Sequence, residues 1–141
     1  MLAKNLLFGS SISGTLLAQL GLGVVRVIAG LSIAFGHGIA KLPPPPAFVK
    51  VVAGLHFPAP EVFAWAAGMS EFVGGLLLAV GLMTRPAAAA IALTMAIAVF
   101  GQHAADPFKV RELAMLYGVI AFSFALTGSG RFGLDRIVNR L

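Results

Sequence analysis

Long apolar runs, separated by short segments that contain proline, dominate the pattern of hydrophobic and polar positions along the chain. Four of these runs are about as long as the roughly 20 residues that an α-helix needs to cross a bilayer. They cover residues 16–41, 61–83, 86–105 and 107–127. Proline lacks a backbone N–H and is favoured only in the first turn of a helix, so it marks helix boundaries between the runs. The pattern predicts four membrane-spanning helices that run alternately up and down.

Two further segments predict short helices at the membrane surface. Residues 47–57 follow the run Pro43–Pro46 and are too few to span a bilayer, so they predict a short interfacial or re-entrant helix. In the tail, residues 133–141, apolar and basic positions alternate at helical spacing. The apolar set is Leu134, Ile137, Val138 and Leu141, opposite Arg136 and Arg140. This segment predicts an amphipathic helix.

Two connections between spans carry helix-start signals. Thr84 precedes Pro86, and Asp106 precedes Pro107. Short polar side chains cap helices by accepting hydrogen bonds from free backbone N–H groups, and proline suits the first turn. We therefore expect Thr84 to cap the third span and Asp106 to cap the fourth.

The first span carries a row of small residues at Gly23, Gly30, Ala34 and Gly38. Small residues let membrane helices approach one another closely. This row predicts a helix contact along the first span, and at Gly38 it would admit either a helix or a ligand against the backbone.

Composition supports the membrane assignment and excludes several other classes. Hydrophobic residues make up 59% of the 141 positions and charged residues 11%, with a mean hydropathy of +0.97. A soluble domain of this size needs more polar surface. The chain is therefore expected to be one all-α, polytopic membrane domain over residues 1–141. It contains no cysteine, which excludes disulfides and thiolate metal sites.

The net charge of +5 indicates charge at a membrane surface rather than nucleic-acid binding. Four spans place both termini on one side. Five basic residues fall on that side and four on the other; these are Lys4, Arg85, Arg131, Arg136 and Arg140 against Lys41, Lys50, Lys109 and Arg111. This excess predicts a cytoplasmic (inner) membrane protein with both termini in the cytoplasm. Residues 1–14 do not predict a removable signal peptide.

Ionisable residues inside the spans are the candidate functional groups, because charges at membrane depth are costly and usually pair inside the bundle. A rise of about 1.5 Å per residue places His37, His103 and Glu112 near one surface, with Gln102 beside them. Glu71 lies deeper. We expect Glu71 to face the interior and to contact Arg26 or His37, and His37 to line a polar pocket with His103 or Glu112.

These residues leave several alternatives open. Glu71 is either a structural partner of Arg26 or a proton-transfer group, and His37 is either a site residue or a helix-end residue beside Lys41. His37 and His103 on separate helices also suggest a bis-histidine haem as an alternative, although we do not expect one. A metal site from His103, Asp106 and Glu112 is weakly supported, since Asp106 already serves as a cap, and no metal is expected.

Three stretches of the sequence resemble the DoxX family of small four-helix membrane proteins. They are the R…HGxxKL end of the first span, the E-x-x-G-G-x-x-L-x-x-G-x-x-T-R motif, and the G-S-G-R-F-x-x-D segment. The resemblance covers about residues 24–138. Its pattern includes Arg26, His37, Gly38, Lys41, Glu71, Gly74, Gly75, Gly81, Arg85, Glu112, Gly128, Gly130 and Asp135.

The resemblance implies a link to redox chemistry. The family includes a subunit of thiosulfate:quinone oxidoreductase, and other members are described as membrane partners of redox and detoxification proteins. A complete thiosulfate oxidase is not expected from a chain without cysteine.

Three functions follow from these observations. The first is a redox-associated subunit of a quinone-linked oxidoreductase. Its pocket binds a quinone or similar ligand, and its electrons come from a protein partner. Its expected proton relay is Glu71, His37 and Glu112, and its expected ligand contacts are His37, Arg26, His103 and Tyr117, with Trp65 a further ring neighbour. The second is a non-catalytic anchor for a partner complex or homo-oligomer. The third is a small-molecule transporter, which would require a dimer.

Overall fold

The computed structural model describes residues 14–140, which form helices joined by short turns. Residues 1–13, which contain Lys4 and the segment considered for a signal peptide, and Leu141 of the tail lie outside the described residues. The helices are α1 (Leu16–Ile33), α2 (Pro46–Gly54), α3 (Pro60–Val80), α4 (Thr84–Ile97), α5 (Phe108–Thr127) and α6 (Asp135–Arg140). A π turn (Ala34–Gly38) and a 3-10 turn (Ile39–Lys41) continue α1, and a π turn (Ala98–Gln102) continues α4.

The four predicted spans are confirmed as helices long and apolar enough to cross a membrane: Leu16–Lys41, Pro60–Val80, Thr84–Gln102 and Phe108–Thr127. The chain is an all-helical, multi-pass membrane protein. The third span ends at Gln102 rather than at residue 105. The second ends at Val80, because Gly81 adopts the left-handed conformation (φ 71°) that terminates helices.

Both predicted short helices are present. The helix between the proline runs, α2, begins at Pro46, the last of the four consecutive prolines, and ends at Gly54. The tail helix, α6, is shorter than predicted, since it starts at Asp135. Ile137 of α6 and Leu134 just before it are exposed, as an amphipathic segment on a membrane surface requires.

Two ends of the bundle are distinguished below. The cavity end comprises residues 42–60 and 102–108. The tail end comprises residues 81–84 and 128–135. The helices α1, α3, α4 and α5 run between these ends in alternating directions, because each is joined to the next by a connection at one end.

Glycines bring α1 and α3 into backbone contact, as the row of small residues predicts. A Cβ added at Gly30 would lie 2.6 Å from the carbonyl oxygen of Gly75, and one added at Gly75 would lie 2.7 Å from that of Gly30. At Gly38 an added Cβ would collide with the backbone N of Phe72. Close packing of this kind replaces the hydrophobic effect as the main attraction between helices in lipid.

Gly38 and Gly36 provide a matched pair of substitutions that tests this contact. Gly38→Ala should lower the free energy of unfolding by about 1–3 kcal/mol, because backbone atoms of α3 cannot yield to the added methyl group. Gly36→Ala should be neutral or slightly stabilising, because nothing lies within 4 Å of its Cβ position. Unfolding in mixed detergent micelles, followed by the fluorescence of Trp65, measures both. Equal effects would show that α1 and α3 do not pack through Gly38.

The core lies where α1, α3, α4 and α5 meet. Ile33, Leu78, Ile91, Met95 and Phe124 are buried in one cluster there. Many other large apolar residues point outward, including Leu17 at 79% exposure and Phe100 at 78%. In a soluble protein so many exposed apolar side chains would cause aggregation, whereas in a bilayer they contact lipid tails.

The first span stops well inside the bundle at the cavity end. Lys41, its last residue, is bonded to Glu71, which lies eleven residues along α3 from Pro60 and thus about 16 Å from the start of that helix. The chain then turns through residues 42–45 and returns outward as α2. Irregular backbone at membrane depth is tolerated where protein covers it. Gly68 of α3 provides this cover, since its Cβ position is 3.0 Å from the carbonyl oxygen of Lys41.

Candidate functional site

Because the first span ends inside the bundle, a cavity of about 470 Å³ opens between α2, α3 and α4. This volume is in the range of small-molecule sites, which combine apolar walls with a few polar groups. Phe48, Phe57 and Phe63 contribute aromatic rings to the walls. The polar residues along the cavity are Lys41, Ser70, Glu71, Thr94, Gln102 and His103.

A buried ion pair forms the floor of the cavity. Lys41 Nζ lies 2.5 Å from Glu71 Oε1 and 2.7 Å from Oε2. Glu71 is 1% exposed and the Lys41 side chain 28% exposed. The ammonium also sits 5.2 Å from the centre of the Phe48 ring, a cation–π contact. An ammonium has three N–H donors, so one donor of Lys41 remains for a ligand.

A pair of hydroxyl groups lies beside this floor and ties α3 to α4. Ser70 Oγ and Thr94 Oγ1 are 2.9 Å apart, and Thr94 Oγ1 donates to the carbonyl oxygen of Ala90 at 3.0 Å. Because a hydroxyl has one hydrogen, Ser70 is the donor in the hydroxyl pair. Ser70 Oγ keeps acceptor capacity and lines the cavity.

The π turn at residues 98–102 shapes the mouth of the cavity. It inserts one extra residue into α4, which rotates the following residues by about 100° relative to a regular α-helix. Gln102 therefore occupies the cavity wall at the position that Gly101 would otherwise take. His103 follows at the mouth, and its Nδ1 is 2.7 Å from Asp106 Oδ2.

The predicted grouping of His37, His103 and Glu112 at one level is wrong. The prediction assumed that Lys41 marks the membrane surface, whereas Lys41 lies at the depth of Glu71, so His37 is deeper still. The ring of His37 contacts Tyr117, with ring centroids 5.7 Å apart, and neither residue lines the cavity. Glu112 is exposed on α5. The structure does not bring His37 and His103 together, so it provides no bis-histidine arrangement.

Arg26 lies at the tail end, away from the cavity, and the predicted contact of Glu71 with Arg26 or His37 is wrong. The Arg26 guanidinium donates from Nη1 to the carbonyl oxygen of Ser129 at 3.1 Å and from Nη2 to the carbonyl oxygen of Phe132 at 3.4 Å. Gly81, which follows the end of α3 and lies ten residues beyond Glu71, packs against the same guanidinium. The expectation that Glu71 faces the interior is confirmed.

The two predicted caps, Thr84 and Asp106, do not cap a span. Asp135 caps the start of α4 instead. Its two carboxylate oxygens accept from the backbone N–H of Met83 at 2.7 Å and of Thr84 at 3.0 Å, at the start of α4. Thr84 is the first residue of α4, and its buried hydroxyl has no hydrogen-bond partner. Asp106 bonds His103 instead of the start of α5, where no side chain caps the helix. Pro107 is therefore the N-cap residue and not the first helical residue.

Three cavity residues are not among those predicted from the sequence: Lys41, Ser70 and Thr94. Lys41 was assigned to the surface because it precedes four prolines, although it belongs to the pattern shared with the DoxX family. Ser70 adjoins Glu71, and a hydroxyl next to a buried carboxylate is a usable signal. Thr94 carries no such signal in an otherwise apolar span. Within residues 14–140, no group of three or more histidine, aspartate or glutamate side chains could hold a metal ion.

The fold and cavity define a class: a four-span helical membrane protein with a largely apolar cavity and a buried ion pair at its floor. A family model described as DoxX matches residues 14–104, more than half of the chain, and the chain belongs to this family. It is 30% identical over 121 residues to the "Putative oxidoreductase CatD" of Bacillus subtilis (strain 168). That alignment covers 85% of this chain and 88% of the relative.

A second relative is an "Uncharacterized protein" of Haemophilus influenzae (strain ATCC 51907 / DSM 11121 / KW20 / Rd). It is 40% identical over 76 residues, which is 49% of this chain. The chain covers 57% of that relative's length. No solved structure gives a significant match.

Proposed function

We propose that this protein is a membrane subunit of a redox process and that its cavity binds a quinone or a similar ring compound. The observation that carries the proposal is the Lys41–Glu71 pair at the floor of a largely apolar cavity with aromatic walls. An ion pair buried in this way is costly to desolvate, and in membrane proteins such groups commonly mark functional sites. Membership of the DoxX family and the name of the Bacillus relative support a redox role.

The floor has the chemistry that a quinone carbonyl needs. The third N–H of Lys41 can donate to a carbonyl oxygen, and the Phe48 and Phe63 rings can pack against the ring of the ligand. Reduction of a quinone to a quinol takes up two electrons and two protons. Lys41 can pass one proton to the carbonyl oxygen, with Glu71 stabilising the ammonium before transfer, and water at the open end of the cavity supplies the second proton to the other carbonyl oxygen. The electrons come from a donor protein that docks on the subunit.

We also propose which membrane the chain occupies and on which side its tail end lies. The excess of basic residues on the side of the termini supports a location in the cytoplasmic membrane with the tail end inside. The cavity then opens toward the opposite face. His37 and Glu112 lie outside the cavity, so the proton-transfer role is assigned to Lys41 and Glu71.

Filling the cavity tests the proposal. Decylubiquinone should bind saturably to the purified chain, after correction for partition into empty micelles. Ala67→Phe places a ring inside the cavity and should weaken binding at least about tenfold, or about 1.4 kcal/mol. Ala89→Phe, on the exposed side of α4, is the control and should leave binding unchanged. Non-saturable binding, or equal binding by both variants, would refute the proposed site and favour the anchor role.

A further inference from the structure

We propose that the tail end binds one anionic phospholipid, with its phosphate on Arg131 and one acyl chain in a groove along α1. The groove holds about 330 Å³ and is lined by Arg26, the Phe132 ring and an apolar stripe of α1. The stripe consists of Leu20, Val24, Val27 and Ile28. The groove lies across the bundle from the cavity, so this site is independent of quinone binding.

The groove runs in the direction that an acyl chain takes through a leaflet. Leu20 and Ile28, at its two ends, are eight residues apart on α1, which is about 12 Å. One leaflet of the hydrocarbon core is about 15 Å deep, half of the core thickness of about 30 Å. Because α1 begins at the tail end, Leu20 lies nearer the membrane surface and Ile28 nearer the bilayer centre. The groove therefore covers most of the depth that an acyl chain crosses.

An arginine lies at the outer end of the groove. The backbone N–H of Arg131 donates to Oε1 of Gln19 at 2.9 Å, and Gln19 adjoins Leu20. The Arg131 side chain is exposed and has no partner among the described residues. A guanidinium binds a phosphate group through paired N–H donors. Arg131 and the groove thus follow one another in the same order as the phosphate and the chain of a phospholipid.

Arg26 holds this arrangement together from below. Its guanidinium binds the carbonyl oxygens of Ser129 and Phe132, on either side of Arg131. The Phe132 ring packs over Gly23 of α1, whose Cβ position is 3.9 Å from Cδ2 of the ring. Arg26 is therefore a positioning residue for Phe132 and Arg131.

The distribution of charge favours an anionic lipid over a zwitterionic one. The cavity side of the bundle has four basic and four acidic residues, which cancel: Lys41, Lys50, Lys109 and Arg111 against Glu61, Glu71, Asp106 and Glu112. The tail side has six basic residues and one acidic residue: Lys4, Arg26, Arg85, Arg131, Arg136 and Arg140 against Asp135. The whole formal charge of +5 thus lies on the tail side. The one carboxylate there is buried and accepts from backbone N–H groups of α4, so it does not face a bound phosphate.

Lipid titration of the purified full chain, followed by native mass spectrometry, tests the headgroup contact. The probes are dioleoylphosphatidylglycerol and dioleoylphosphatidylcholine, which have the same chains and differ in net charge. We expect the anionic lipid to bind one saturable site about fivefold more tightly, because one arginine near the surface favours it. Arg131→Gln should remove this preference. Arg136→Gln removes the same charge from α6, outside the groove lining, and should keep the preference.

Filling the groove tests the chain contact. Val27→Trp places a ring in the groove and should weaken binding of both lipids at least about tenfold. Val25→Trp is the matched control, because Val25 is 43% exposed against 39% for Val27 and lies outside the groove lining. This control should bind both lipids as the wild type does.

Three results would overturn the proposal. Equal losses in Arg131→Gln and Arg136→Gln would show diffuse attraction to the whole basic end. Equal lipid affinities of the two valine variants would show that no chain occupies the groove. A wild-type dimer that Val27→Trp dissociates and Val25→Trp does not would show that a second copy of the chain covers the groove.

Discussion

Replacing Glu71 with glutamine should lower the free energy of unfolding by about 3 kcal/mol. The substitution leaves the Lys41 ammonium in the cavity without its counter-charge, and breaking a buried ion pair on one side costs about 3–5 kcal/mol. The lower value applies because Lys41 is 28% exposed. Glu112→Gln removes a carboxylate from the exposed face of α5 and should change stability by less than about 0.5 kcal/mol. Unfolding in mixed micelles compares the two variants.

A double variant separates stability from ligand binding at the same pair. Lys41→Met combined with Glu71→Leu removes both charges, and apolar replacement of a whole buried pair is often neutral or stabilising. Stability should therefore return to within about 1 kcal/mol of the wild type, while the double variant should not bind decylubiquinone. If binding survives in a stable double variant, the pair is structural only. If Glu71→Gln is as stable as the wild type, Lys41 and Glu71 do not form the buried pair.

Much of the fold was predictable because a bilayer imposes simple requirements on sequence. Each span needs about 20 apolar residues, and that signal alone located all four helices. The small residues Gly30 and Gly38 predicted where α1 meets a neighbouring helix. The proline run predicted where regular structure ends, and α2 begins within it.

The site was less predictable because depth depends on where a helix ends in space, not in sequence. The prediction placed Lys41 at the surface, whereas the chain turns back at the level of Glu71, and every partner assignment changed as a result. The π turn in α4 is a second such case. One extra residue moves Gln102 onto the cavity wall, and no residue type in that segment signals it.

The capping error has a similar origin. Asp106 precedes Pro107 and a helix, which is the local signal for a cap, but its carboxylate bonds His103. Asp135 is fifty-one residues from Thr84 in sequence, and its carboxylate reaches α4 only because the tail end folds back. Gly128 and Gly130 make this return possible, with φ values of 78° and 73° that other residues rarely adopt. Local signals do not report such a long-range cap.

Asp135→Ala should therefore destabilise the protein far more than Asp106→Ala. Asp135 is completely buried, and its removal leaves the N–H groups of Met83 and Thr84 without acceptors. Each buried donor left unsatisfied costs about 1–3 kcal/mol, so we expect a loss of about 3 kcal/mol. It also removes a negative charge that attracts the Arg26 guanidinium. Asp106→Ala breaks one partly exposed pair with His103 and should cost less than about 1 kcal/mol.

Asp135→Asn refines the test, because an amide keeps one acceptor oxygen but loses the charge. We expect it to fall between the wild type and Asp135→Ala, with about half of the loss. Ligand binding should be unaffected in every Asp135 variant that still folds, because the tail end lies across the bundle from the cavity. Equal losses for Asp106→Ala and Asp135→Ala would mean that the start of α4 is not capped by the tail. A loss of quinone binding in folded Asp135→Asn would instead show that the tail end and the cavity are coupled.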